Sequence, residues 1–163
     1  MGSPIAPLMA DVCMNWVMDQ ATDIEPKPFI FFRYVDDLFC VFNCKSDLDI
    51  FFNKINLVHP NIQFTKEIEH HDQISYLDIL ITRVNHQIET TVYRKKTNTG
   101  LYINWSSLCP KKYKSNLVNC LLNRAYRICN TYKAMHVEFE NITDLLLRNG
   151  YPLSFVQNHI RRF

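Results

Sequence analysis

Glycine is scarce in this chain, with three in 163 residues, and 47% of the residues are hydrophobic. That balance argues against a disordered chain and for an ordered globular one. The apolar runs fall far short of a membrane span, and the N-terminus carries no secretory signal. No repeat or low-complexity tract occurs. Six cysteines stand at positions 13, 40, 44, 109, 120 and 129, without a CxxC pair or a paired metal-ligand spacing. A disulfide framework is therefore excluded, and the cysteines read as reduced core thiols of an intracellular protein. The length is that of one domain, able to bury about 70% of its unfolded surface.

Acidic residues are also missing where they matter. Residues 90–137 contain none, against nine bases: Arg94, Lys95, Lys96, Lys111, Lys112, Lys114, Arg124, Arg127 and Lys133. Residues 1–89 show the opposite bias, 13 acids against 6 bases, so the formal net charge of +2 hides an uneven distribution. Tyr93, Tyr102, Trp105, Tyr113 and Tyr126 interleave with the basic segment. Basic and aromatic side chains in alternation are the footprint of a nucleic-acid backbone site.

What is present in abundance is aromatic and β-branched sequence around one acidic pair. Phe29 to Phe42 places two strand-length runs on either side of Asp36 and Asp37. The pattern predicts a β-hairpin with both carboxylates at or beside its turn. Like charges about 4 Å apart repel by about 4 kcal/mol near a protein surface. A bound Mg²⁺ offsets such a cost, since it takes one or two carboxylates and completes its shell with water and phosphate oxygens.

Tyr34-Val35-Asp36-Asp37 resembles the catalytic box of reverse transcriptases, and the upstream Gly2-Ser3-Pro4-Ile5-Ala6-Pro7 resembles the glycine-serine-proline motif of the same enzymes. Tyr93-Arg94-Lys95, Thr97 with Leu101-Tyr102, and Asn149-Gly150-Tyr151-Pro152 are similar to Penelope-like retroelements, with Ala6, Lys96 and Cys109 departing from the usual residues. The resemblance implies an α+β fold: a partial polymerase palm of antiparallel hairpins packed on helices over 1–95, then an all-α thumb over 96–163. It implies an RNA-directed DNA polymerase that uses two Mg²⁺ ions, or Mn²⁺, with Asp36 and Asp37 as catalytic metal ligands. Gly2, Ser3, Pro4, Tyr34, Val35, Tyr76 and Leu77 would then contact substrate or template-primer. Arg94, Lys95, Lys111, Lys112, Lys114, Arg124 and Arg127 would follow the nucleic-acid backbone. Lys66 stands near the position of a lysine that can protonate leaving pyrophosphate. The implied partners are an RNA template, a DNA primer and deoxynucleoside triphosphates, with no membrane, in an intracellular and nuclear setting.

The family's other metal-binding aspartate lies on a strand upstream of its glycine-serine-proline motif, so this chain is expected to be the back half of a polymerase and inactive alone. Met1 reads as an internal residue of a longer frame. The alternative is a non-catalytic nucleic-acid-binding remnant or domesticated module. A Mg²⁺ nuclease or phosphotransferase built on the Asp-Asp turn leaves the Gly-Ser-Pro motif and the basic segment unexplained.

The remaining elements follow from periodicity. Ser3 caps a helix over 3–21, with Ile5, Leu8, Met9, Val12, Trp16 and Val17 as its buried stripe. Ser46 or Asp47 starts a second helix through Leu57. A strand is expected at 62–65, and a second hairpin pairs 75–84 with 87–95 across a turn at Asn85-His86. One long helix runs from Pro110 to about Tyr132, with Leu117, Leu121, Leu122, Ala125, Ile128 and Cys129 buried and Lys114 off that stripe. A shorter helix covers Glu138–Asn149, Gly150 caps it, and Pro152 opens the last one.

Overall fold

A computed structural model describes residues 3–85 and 87–163; Gly2 and His86, named above, lie outside them. Among the described residues it contains five helices and two small antiparallel sheets, with an all-helical C-terminal region, so the α+β class holds. The chain divides into two compact units, one ending at Ile68 and one spanning Glu69–Phe163.

In the first unit, α1 (Ala6–Thr22) precedes a hairpin of β1 (Ile30–Tyr34) and β2 (Asp37–Val41), and α2 (Lys45–Ile55) follows. The α1 stripe is not core as expected. Ile5, Leu8, Met9, Val12 and Trp16 are exposed, and only the last turns bury Val17, Met18 and Ala21. The apolar packing of the hairpin and α2 reaches only that end of the helix, with Phe31, Leu38, Cys40 and Phe42 around Phe51 and Ile55. Helix α1 starts at Ala6 rather than at Ser3, whose Oγ accepts the Ile5 N–H at 3.3 Å. The strand expected at 62–65 does not form. Instead the Asn56 side chain accepts the Phe64 N–H at 2.6 Å and donates to the Phe64 carbonyl at 3.3 Å. One amide side chain thus satisfies a backbone that has no strand to pair with.

In the second unit, β3 (Gln73–Tyr76), β4 (Ile79–Val84) and β5 (Gln87–Val92) form a meander. The stretch read as one strand over 75–84 folds back at Leu77-Asp78, because Tyr76 pairs with Ile79 across a two-residue turn. Helices α3 (Lys111–Ile128), α4 (Tyr132–Arg148) and α5 (Leu153–Arg162) follow. Their core joins Val118, Leu121, Leu122 and Ala125 to Ile142, Leu146, Tyr151 and Val156. The single helix expected to reach Tyr132 breaks instead at Cys129, whose backbone is extended. Thr131 then caps α4, accepting the Ala134 N–H at 3.2 Å, so α4 begins two turns before the expected Glu138.

The break between α3 and α4 also closes the sheet. Asn130 accepts the Thr90 N–H at 3.0 Å and donates to the Ile88 carbonyl at 2.7 Å, while the Thr90 hydroxyl donates to the Ile128 carbonyl at 2.6 Å. These bonds cover the edge of β5, which would otherwise expose unpaired backbone groups. The cysteine expectation is corrected in part. All six are free thiols, but Cys13, Cys44 and Cys120 are exposed and the other three only half-buried. Burial still pushes the Cys40 thiol up to about 11.

Candidate nucleic-acid interface

The acidic hairpin has the geometry the sequence predicts. Tyr34 pairs with Asp37, leaving Val35 and Asp36 as the two turn residues. Both carboxylates are exposed, as are Tyr34, Val35, Ser3 and Pro4. A residue not singled out by the sequence holds this end of the hairpin. Arg33 donates to the Val35 carbonyl at 2.8 Å, to Asp11 at 2.9 Å and to Asn15 at 2.5 Å, tying the turn to α1. Asp11 and Asn15 are four residues apart and so share one helix face. Among the described residues, no group of three or more His, Cys, Asp or Glu side chains is placed to hold a metal ion. Lys66 ion-pairs with Asp49 at 2.5 Å on α2, which holds the Asp49 carboxyl below its usual range.

The basic residues fall into three groups. Lys114 is buried rather than off the stripe, donating to the carbonyls of Trp105 at 2.5 Å and Ser107 at 2.8 Å. Arg94 makes a two-point ion pair with the buried Glu138, whose hydrogen bonds hold the guanidinium above its ordinary range. Lys111, Lys112 and Arg127 are exposed along α3. Lys111 and Lys112 occupy the first turn of α3, which contains no acid. Cations at the positive end of a helix dipole oppose it, so this placement serves an external anion better than it serves the helix.

Leu77, Arg94, Lys95 and Arg124, assigned above to two different roles, converge. With Asp78, Tyr93, Thr97 and Asn98 they line one cleft of about 330 Å³. Tyr76 precedes it at the end of β3.

The interface feature that the sequence reading does not single out is the polar face of α5, which follows the predicted Gly150 stop. Asn149, Gly150, Tyr151 and Pro152 form a four-residue turn. The Tyr151 N–H donates to the Leu146 carbonyl at 3.0 Å and the Gly150 N–H to Leu147 at 2.9 Å, with Gly150 at φ +82°. This is a Schellman ending, which needs a left-handed residue at that position. The buried Asn149 side chain accepts the Tyr102 N–H at 2.9 Å and donates to the Gly100 carbonyl at 2.9 Å, fastening the 100–105 loop to the turn. Beyond the turn, Ser154, Gln157, Asn158 and Arg161 are exposed at helical spacing on α5, while Val156 is buried. Polar residues at positions 2, 5, 6 and 9 of α5 mark a solvent face, a signal readable in the sequence.

Residues 101–161 match the Animal helix-turn-helix domain family. No curated protein and no solved structure matches the chain. The family match overturns the reverse-transcriptase resemblance. The match falls on the segment expected as a polymerase thumb, where the helix expected over 110–132 ends at Ile128 and α4 begins at Tyr132.

Proposed function

We propose that the chain is a nucleic-acid-binding module that takes duplex DNA through its C-terminal three helices, with α5 as the helix presented to the major groove. The observation that carries this reading is the α4–turn–α5 unit. A helix-turn-helix joins its helices by three or four residues that often include Gly, and its second helix reads the groove. Two turns qualify by length, Cys129–Thr131 and Asn149–Pro152, and charge decides between the helices that follow them. Helix α4 carries Glu138, Glu140 and Asp144, whereas α5 carries no acid and ends in His159, Arg161 and Arg162. Only α5 suits a polyanion.

The exposed face of α5 also has the chemistry of base reading. Gln and Asn form paired hydrogen bonds to adenine, Arg does so to guanine, and Ser serves either. Lys111, Lys112 and Arg127 supply phosphate contacts that position the module without reading sequence. A nuclear location goes with this reading. No described helix is long and apolar enough to cross a membrane.

Fluorescence anisotropy with a labelled mixed-sequence duplex tests it. The affinity of the whole chain should fall linearly with log salt, at a slope of about −0.9 per phosphate neutralised. Selection of preferred sequences should then shift with Gln157→Ala or Asn158→Ala, each changing discrimination by about 1–3 kcal/mol at its base pair. Flat salt dependence overturns the reading.

A further inference from the structure

We propose that the cleft bounded by the β3–β4 turn, residues 93–98 and Arg124 of α3 is a phosphate subsite that receives one backbone phosphate of the bound nucleic acid. The proposal rests on the nucleic-acid reading above and adds a site outside the helix-turn-helix contacts. Most of its lining residues precede position 101, where the family match begins.

Three cations line the cleft against one acid, Asp78. Arg94 is committed to Glu138, which leaves Lys95 and Arg124 to face a ligand. Lys95 is exposed, and among the described residues its ammonium has no ion-pair partner. Arg124 uses only Nη2, which lies 3.1 Å from Asp78 and 3.5 Å from the Tyr93 carbonyl. Its Nε–H is buried without an acceptor among the described residues, so the guanidinium is held in place but incompletely satisfied. A guanidinium presents five donors in a fixed fork that matches a phosphate, and such charge-assisted pairs are roughly twice as strong as neutral ones. Asn98 adds a neutral donor, since its Oδ1 accepts the Gly100 N–H at 2.8 Å and leaves its NH₂ for an anion.

Asp78 is the internal stand-in for the ligand. Its carboxylate is 69% exposed and sits where a phosphate oxygen would meet Arg124. An exposed pair of this kind contributes little to stability, so exchanging the carboxylate for a phosphate sacrifices little. The turn that carries Asp78 begins with Leu77 at φ +53°, a conformation L-residues avoid and one that gathers at ligand sites. Helix α3 carries one residue of the cleft and one that contacts α5. Arg124 is five residues along α3 from Asn119, whose Oδ1 lies 2.9 Å from His159 Nδ1 of α5. That is a rise of about 7.5 Å with a rotation of roughly 140° about the helix axis, so the cleft and the α5 contact lie on different sides of α3.

The test uses the whole chain and a short fluorescein-labelled DNA duplex, with affinity measured between about 50 and 200 mM salt. Lys95→Gln should lower the slope of log affinity against log salt by about 0.9, the weight of one phosphate. Lys95→Gln with Arg124→Gln should lower it by about the same amount in total, because both residues hold one phosphate. Asp78→Asn should tighten binding by up to about fivefold, as the competing carboxylate is removed. A merely structural Asp78–Arg124 pair would instead weaken binding when broken, and that result overturns the proposal. Both single substitutions are at exposed positions, and thermal melts establish that each variant is folded. If the native chain binds with a steep salt slope and Lys95→Gln leaves the slope unchanged, the subsite is wrong and the DNA-binding reading stands. If the native chain shows no salt-dependent binding, both fall.

Discussion

Arg94, just beyond β5, and Glu138, in the middle of α4, form a two-point ion pair in which the carboxylate is buried and the guanidinium half-buried. The pair joins the meander to the helices at a point where the sequence suggests a free cation. Removing one partner of a buried pair leaves the other charge uncompensated, at a cost of roughly 3–5 kcal/mol. Arg94→Ala is expected near the lower end of that range, because the guanidinium is partly exposed. Chemical denaturation checks it, and a loss below about 1 kcal/mol, the scale of a surface pair, would show that the bridge is solvated.

Tyr151 is 2% exposed, and among the described residues its hydroxyl has no hydrogen-bond partner. Burial also pushes the phenol above its ordinary range. A buried hydroxyl without a partner carries its desolvation cost with nothing returned, about 1–3 kcal/mol. Tyr151→Phe keeps the ring contacts with Trp105 and Phe155 and removes that cost. The melting temperature should stay level or rise. A drop of several degrees would mean that the hydroxyl has a bridging water.

The parts of this fold that could be read in advance are those in which pattern and packing agree. The Asp36-Asp37 hairpin, the burial of Leu121, Leu122 and Ala125 on α3 and the Gly150 stop all follow from local chemistry, whereas Val118 is buried in place of Leu117, Ile128 and Cys129. The failures have identifiable causes. The β1–β2 and β3–β4 turns place an apolar residue, Val35 or Leu77, at positive φ and follow it with Asp, where Asn-Gly is the usual signal. The first was found only because two apolar runs flanked it, and the second was read as continuous strand. Apolar periodicity ran unbroken from Leu117 to Cys129, so nothing in it marked the end of α3. The break shows in Thr131, a capping residue competing against a strong helical pattern. Without that break the first turns of α4 merge into α3 or the loop after it, while the thumb expectation comes from the resemblance alone. Lys114 and Arg94 read as free cations because the partners of Lys114 are loop carbonyls, which no residue type marks, and Glu138 is remote from Arg94 in sequence.

His159 gives α5 a pH dependence. Burial, and then the charge of Arg162, hold its imidazole below the ordinary value of 6.5. The unfolded chain therefore binds the proton more tightly than the folded one, and stability rises with pH across that window. Full stability is present above about 6.5 and is lost as pH falls through 6.5 toward the folded value. Thermal melts at pH 7.5 and 5.5 should show a drop that is smaller in His159→Gln, which retains a donor for Asn119. An equal drop in the variant would place the titration on another histidine.

Val35 offers the plainest test of stored backbone strain. It is β-branched, holds φ +54°, and is 62% exposed, so its side chain gains little in packing. A left-handed conformation costs an L-residue about 1–2 kcal/mol, more than glycine's roughly 0.5–1 kcal/mol entropic disadvantage. Val35→Gly should stabilise the hairpin by about 1 kcal/mol. Hydrogen exchange at the β1–β2 ladder should then slow by about fivefold. The corresponding Leu77→Gly change is less informative, since Leu77 lines the cleft and a change there mixes strain with binding. Faster exchange in Val35→Gly would mean that the Arg33 bond to the Val35 carbonyl, and not relief of strain, governs the turn.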